Sequence, residues 1–132
     1  MSGIAVVHPI SIALMELPIA ISALGHLGYE LIRGVTEFRC GKNVLDADYV
    51  FRSKSGLKIA LRKDKHGKLE LLVDKEELRK KEGIEVKELE RQIQRRYAYV
   101  NLMEKLKAEG YTVVEEEHRE DETIRLVVRR WR

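Results

Sequence analysis

The chain has 132 residues, of which 44% are hydrophobic and 36% charged, and its formal net charge is +3. This length suits one domain with a moderate core, so we predict a single domain over residues 1–132. The apolar residues recur periodically, which excludes an intrinsically disordered chain, and the small positive excess is only a weak indication of nucleic-acid binding, because solubility explains it equally well.

The cysteine count indicates the cellular compartment of the protein, and the fraction of charged residues indicates the kind of organism it comes from. Cys40 is the single cysteine, so no internal disulfide can form, and a reducing, cytoplasmic compartment is expected. We interpret Cys40 as an ordinary free thiol in a loop rather than a thiol activated by Arg39 and Lys42, because no base partner is evident. A charge load rich in lysine, arginine and glutamate is common in thermophile proteins, so a thermophilic source is expected.

The apolar stretch Ile4–Leu27 does not predict a membrane span or a signal peptide. His8, Glu16 and His26 interrupt it, and two prolines fall within it. The start also lacks the basic region of a signal sequence. We therefore expect no membrane association and interpret the stretch as a strand followed by a helix.

The first half of the chain is predicted to form a strand, a helix and a series of strands. Ile4–Leu14 alternates apolar positions as a strand does. The helix that follows begins near Pro18 and ends at Gly28. Further strands are predicted at Tyr29–Arg33, Val35–Phe38, Ala47–Arg52, Leu57–Lys63 and Lys68–Val73, with a loop at Cys40–Leu45 and a hairpin turn at Asp64–Gly67.

The second half is predicted to form two helices and a second hairpin. Asp74 can cap a short helix that Gly83 ends, and a longer helix follows from about Glu85 to Glu109. Strands at Tyr111–His118 and Thr123–Arg130 then form the hairpin. The predicted fold is α+β, with a mostly antiparallel sheet of about five to seven strands covered by helices in the order β-α-β-β-β-β-α-α-β-β.

The long helix contains two tyrosines that point in nearly opposite directions. At about 100° per residue, Tyr97 joins an apolar stripe with Leu89, Ile93 and Val100, so it is predicted to be a core residue whose hydroxyl reaches a partner. Tyr99 lies about 200° away, on the flank of this stripe. We favour a packing contact for Tyr99 over a ligand platform.

Arg96 falls inside the apolar stripe or at its edge. A guanidinium group there must be paired or must extend its charged end to solvent. A carboxylate within Glu115–Glu117 is the predicted partner, and an anion-binding site is the alternative.

Three stretches carry a family resemblance: Gln94–Tyr99, Gly110–Glu117 and Asp121–Trp131. They resemble the motifs QRYAY, GF-VVEEE and DGTI-L-LRR of a family of unknown function. Its plastid members are called hypothetical chloroplast open reading frame thirty-five, and its other members occur in bacteria and archaea. The resemblance implies an archaeal or bacterial member of that family and, through the frequent proximity of its genes to those of AAA-type ATPases, an accessory role.

The chain also departs from the family pattern. The histidine of a frequent MSHF start is absent, and Lys75 and Glu76 replace the tryptophans that usually follow the aspartate. Glu122 replaces the glycine of DGTI. A site built on these family residues would be altered in this chain.

No motif predicts catalysis, a metal or a cofactor. The four histidines are scattered, one cysteine cannot complete a structural zinc site, and no GxSxG, HExxH or phosphate-binding loop occurs. Glu115 and Glu117 share a strand face, where solvated or ion-paired carboxylates are favoured over an acid–base pair.

We expect a non-catalytic binding or accessory protein that acts through protein–protein contacts or as an oligomer, with the sheet edges and Trp131 as its surface. The alternative is RNA or DNA binding through an arginine-rich C-terminus, with Tyr99 or Trp131 stacking on bases. A small hydrolase or nuclease centred on His8 is the third hypothesis. The candidate binding residues are Arg96, Tyr99, Arg125, Arg129, Arg130 and Trp131, with Arg132 beside them.

Overall fold

Antiparallel strands and four helices make up the structure, a computed structural model that describes residues 4–7, 10–121 and 123–130. The chain divides into two compact units, Met1–Ala98 (the first unit) and Tyr99–Arg132 (the second unit). The boundary between them falls within the longest helix.

The first unit contains seven strands and most of the helical residues. Its strands are β1 (Ile4–Val7), β2 (Glu30–Leu31), β3 (Glu37–Cys40), β4 (Asn43–Asp46), β5 (Tyr49–Arg52), β6 (Lys58–Lys63) and β7 (Leu69–Asp74). Its helices are α1 (Ile10–Ala13), α2 (Leu17–His26), α3 (Lys75–Glu82) and the first part of α4 (Val86–Ala108). The sheet order is β1-β7-β6-β5-β2, all antiparallel, and β3 and β4 form a separate hairpin.

Strand β7 is buried at every position. Because alternate residues of a strand point to opposite faces, the sheet must be covered on both sides here. On one face, Leu71 and Val73 pack in a large cluster with residues of the helices, including Leu24, Leu78 and Leu89. On the other face, a smaller cluster covers the sheet with residues of the β3–β4 hairpin.

Local sequence signals fix the helix ends of the first unit. Pro18 lies in the first turn of α2, where its missing N–H is not needed. The Asp74 carboxylate accepts hydrogen bonds from the backbone N–H groups of Glu76 and Glu77 at 3.0 and 3.3 Å and so caps α3. Gly83 ends α3 in the left-handed conformation, at φ 67°.

The second unit contains the end of α4 and one hairpin. Its strands are β8 (Tyr111–His118) and β9 (Ile124–Arg130), which among the described residues pair only with each other, in a two-stranded sheet. A bulge interrupts the register at Val114, between the pairs Val113–Val128 and Glu115–Val127. At the turn, the Asp121 carboxylate accepts hydrogen bonds from the N–H and the hydroxyl group of Thr123.

The predicted α+β class with antiparallel sheets is confirmed, but the predicted order of elements is incomplete. The described residues form four helices, one more than predicted, and nine strands, one more than the eight segments predicted as strands. Ile10–Ala13 is helical, whereas a strand was predicted as far as Leu14. The predicted loop at Cys40–Leu45 contains most of β4, which turns back on β3 through Gly41 and Lys42. The prediction of a single domain stays a prediction.

Candidate functional site

The β8–β9 hairpin carries most of the predicted binding residues. In its register, Arg125 lies opposite Glu117, and Arg129 lies opposite Thr112. Because side chains alternate across a strand, Arg125, Val127 and Arg129 share one face of the hairpin, and the bulge at Val114 brings Glu115 to this same face. We call this face the arginine face.

On the arginine face, Arg125 is partly neutralised within the hairpin. Its Nη1 atom lies 3.7 Å from Glu115 Oε1 and 3.6 Å from Glu117 Oε2. These carboxylates therefore act as ion-pair partners rather than as an isolated pair of acids. Because the three side chains are about half exposed, the ion pairs contribute little to stability.

The other two arginines of β9 differ from Arg125. Arg129 is exposed, and within the described ranges its side chain makes neither a hydrogen bond nor an ion pair. The guanidinium carbon of Arg130 lies 5.5 Å from the centre of the Tyr111 ring, in cation–π range. Arg129 is therefore the β9 cation most available to a ligand. The predicted residues Trp131 and Arg132 lie outside the described residues.

The opposite face of the hairpin carries a polar network. The Tyr99 hydroxyl donates a hydrogen bond to Glu116 Oε2 at 2.9 Å, and Glu116 Oε1 lies 2.7 Å from Nε2 of His118. Glu116 thus orients both a phenol and an imidazole. The choice between a packing role and a ligand platform for Tyr99 stays a prediction.

The two outer edges of the β8–β9 sheet have different properties. The β8 edge contains the bulge and three consecutive glutamates, and bulges and charges both hinder the addition of another strand. The β9 edge is regular over Ile124–Arg130 and includes three arginines and no acid. Val128 on β9 is 36% exposed. No other strand pairs with β9 in the described part of the chain.

The predicted role of Tyr97 is confirmed. Its ring is half-buried against the large core cluster, and its hydroxyl oxygen accepts a hydrogen bond from the backbone N–H of Glu16 at 2.8 Å. Arg96 is half-buried and already interacts with another group of the protein. Its pairing with a carboxylate of Glu115–Glu117 stays a prediction.

Cys40 occupies a different position from the one predicted. It is the last residue of β3, is 2% exposed, and donates its S–H to Asp74 Oδ2 at 2.9 Å. Burial, followed by the hydrogen bond and the negative charge of Asp74, raises the pKa of this thiol from 9.0 to about 12. The strand predicted at Val35–Phe38 stopped short of Cys40, whereas β3 runs from Glu37 to Cys40 with Phe38 and Cys40 buried.

Two open pockets of the first unit hold charged side chains. A pocket of about 330 Å³ beside Asp74 is lined by Phe38, Arg39, Gly41, Gly56, Lys58, Asp74, Glu77 and Lys81. Lys81 in its wall already pairs with Glu77 at 3.2 Å. A pocket of about 480 Å³ is lined by Asp46, Arg62, Lys63, Asp64, Lys65, His66 and Glu70. There, Arg62 Nε donates to the buried Glu70 at 2.6 Å, so both pockets contain charges that are paired internally.

No group of three or more His, Cys, Asp or Glu side chains within residues 4–7, 10–121 and 123–130 is placed to hold a metal ion. His8, the centre of the predicted hydrolase alternative, lies outside these ranges. No described helix has the length and apolar character required to cross a membrane.

A family model described as "Protein of unknown function (DUF1257)" matches residues 23–127. The match begins in α2 and ends within β9, so it includes the buried Cys40–Asp74 pair and most of the β8–β9 hairpin. No curated protein and no solved structure matches the chain significantly.

Proposed function

Because the chain belongs to the DUF1257 family, whose function is unknown, we propose a function from the hairpin itself. The protein acts as a non-catalytic accessory protein that binds another protein through the outer edge of β9. An exposed strand edge offers a row of backbone N–H and C=O groups to which an extended segment of a partner can pair.

The observation that carries this proposal is the contrast between the two edges of the hairpin. The bulge and the glutamates hinder pairing at β8, whereas β9 is regular and ends in a partly exposed apolar and basic segment, Val128–Arg130. A regular edge strand that no other segment covers can pair with other chains and promote aggregation. A protein partner would satisfy its hydrogen-bonding groups.

We also propose a candidate partner, a cellular compartment and a type of source organism. The resemblance to hypothetical chloroplast open reading frame thirty-five supports an AAA-type ATPase as one candidate partner, and an archaeal or bacterial source. Cys40 is buried and is the single cysteine, so no internal disulfide can form, which supports a reducing cytoplasm. The charge load supports a thermophilic organism.

Nucleic-acid binding is the second candidate, favoured by the exposed Arg129 and by Arg130 beside the Tyr111 ring. Two observations weaken it. Acidic residues slightly outnumber lysines and arginines within Tyr99–Arg132, and Arg125 already faces two glutamates. A gel shift at low salt tests this alternative, since backbone contacts are strongest there, and the absence of any shift with RNA or DNA would remove it.

Affinity capture from native lysate tests the leading proposal. The baits are the wild type and Val128→Lys, which adds a charge to the edge strand at a site already 36% exposed. Leu102→Lys, 46% exposed on α4, is the matched control because it adds the same charge on a helix rather than on the edge strand. We expect the wild type and Leu102→Lys to retain one common protein that Val128→Lys loses. Equal capture by all three baits, or no captured protein, would reject the proposal.

A further inference from the structure

We infer that the segment bound at β9 is extended and acidic, with an acidic, an apolar and an acidic residue at alternate positions. This inference rests on the proposed function and narrows its partner from any protein to one class of peptide. Three properties of the hairpin lead to it: the regular β9 edge, the residues of the arginine face, and the difference between Arg125 and Arg129.

The first property determines where a strand can be added. Two strands pair through their backbones only where the edge strand keeps a regular register. Every residue of β9 from Ile124 to Arg130 has a partner in β8, and the extra residue of the bulge, Val114, belongs to β8. The added strand therefore pairs with β9.

The second property determines which residues the added strand presents. Side chains directly opposite each other on neighbouring strands lie about 5 Å apart on the same face and form the specific contacts of a sheet. The arginine face of β9 presents Arg125, Val127 and Arg129 at alternate positions. The complementary residues are a carboxylate, an apolar side chain and a second carboxylate. This pattern reads identically in both directions, so it applies to a parallel and to an antiparallel partner.

The third property ranks the two charged contacts. Arg125 already lies 3.6–3.7 Å from Glu117 and Glu115, so a carboxylate of the partner would share its guanidinium group with these two glutamates. Arg129 has no side-chain partner within the described ranges and gains a full ion pair. Arg129 is therefore the main specificity-determining residue of this surface.

Fluorescence anisotropy with a labelled peptide tests the inference. The probe is a seven-residue peptide with glutamate, valine and glutamate at its second, fourth and sixth positions and threonine elsewhere. We expect the wild type to bind it, and Arg129→Glu to raise the Kd by about five- to tenfold, because a favourable ion pair becomes a like-charge contact. Arg33→Glu, which reverses the same charge at an exposed residue of the first unit, should leave the Kd unchanged.

Three modified peptides, two N-methylated and one with lysines, separate strand addition from charge attraction. N-methylation of alternate backbone amides removes the hydrogen-bond donors along one edge of the extended peptide but keeps every charge. One peptide is methylated along each edge, and the peptide methylated along the edge that pairs with β9 should not bind. A peptide with lysines in place of the glutamates should bind Arg129→Glu better than it binds the wild type. Undiminished binding of both N-methylated peptides, or an equal loss of affinity in Arg129→Glu and Arg33→Glu, would overturn the inference.

The result of this test is distinct from that of the capture experiment. If Val128→Lys loses a captured protein while the wild type does not bind the acidic peptide, the proposed function stands and the inference fails. If the wild type captures no protein and binds RNA in an Arg129-dependent manner, both fail and the nucleic-acid alternative takes their place.

Discussion

Asp74 is a residue with several structural roles in the first unit. One carboxylate oxygen caps α3 through two backbone N–H groups, and the other accepts the thiol hydrogen of Cys40. Asp74 is 5% exposed, and these hydrogen bonds offset the cost of its burial. It therefore connects the β3–β4 hairpin, the end of β7 and the start of α3.

Replacement of Asp74 should destabilise the fold. Asp74→Ala removes the helix cap and the acceptor for Cys40, and we expect a loss of about 1–2 kcal/mol in the free energy of unfolding. Asp74→Asn keeps a capping oxygen and should lose less. Urea denaturation of the two variants measures the difference. Equal stability of Asp74→Ala and the wild type would show that the cap and the thiol contact contribute nothing.

The Cys40 thiol should make stability decrease at alkaline pH. Its pKa is raised from 9.0 to about 12 in the folded protein, so above about pH 9 the unfolded chain loses this proton while the folded chain keeps it. The stabilising contribution is complete below pH 9 and is lost as the pH rises toward 12. Cys40→Ala has no such titration.

Urea denaturation between pH 7 and 10.5 tests this expectation. The stability advantage of the wild type over Cys40→Ala should be constant up to about pH 9 and then shrink. Other groups that titrate in this range affect both proteins equally, so the difference between the two isolates Cys40. A difference that grows above pH 9 would contradict the raised pKa.

At the scale of elements, Tyr97 connects α4 to the start of α2. Glu16 is the N-cap residue of α2, and its side chain makes no capping hydrogen bond. The backbone N–H of Glu16 donates a hydrogen bond to the hydroxyl oxygen of Tyr97, which lies 81 positions later in the sequence. A side chain of one helix thus satisfies a backbone group at the end of another.

Removal of the Tyr97 hydroxyl should reduce the free energy of unfolding more than removal of the Tyr99 hydroxyl. Tyr97→Phe leaves the Glu16 N–H without its acceptor, and we expect a loss of about 0.5–1.5 kcal/mol in the free energy of unfolding. Tyr99→Phe, the matched control on the same helix, removes a bond to the solvent-accessible Glu116, and its effect should be smaller. Thermal and urea denaturation of both variants provide the measurement, and a larger loss in Tyr99→Phe would contradict the assignment.

Elements with strong periodicity could be predicted from the sequence, and those with weak signals could not. Helix α4 was predicted within a residue or two at each end, and the bounds of β8 were predicted fully. Ile10–Ala13 was predicted as strand because its apolar residues continue the alternation that starts at Ile4, yet it forms a helical turn. Strand β4 was missed because its apolar residues are few and its tight turn at Gly41 resembles an ordinary loop.

At the scale of the whole molecule, contacts between distant parts of the chain were the least predictable. Local periodicity placed Tyr97 toward the core but could not identify Glu16 as its partner. Similarly, Asp74 was predicted as a cap, whereas its contact with Cys40 depends on how β3 lies on the sheet. The candidate residues of β9 were found from their charge alone, and the bulge that distinguishes the two edges has no clear sequence signal.

The central claim is that the outer edge of β9 is open in the free protein and is covered when a partner binds. Amide hydrogen exchange followed residue by residue tests it most directly. In the free protein, alternate amides of Ile124–Arg130, those not bonded to β8, should exchange fast, and the glutamate–valine–glutamate peptide should protect these amides. Protection of the same amides before the peptide is added, or protection by the peptide only outside β9, would contradict the claim.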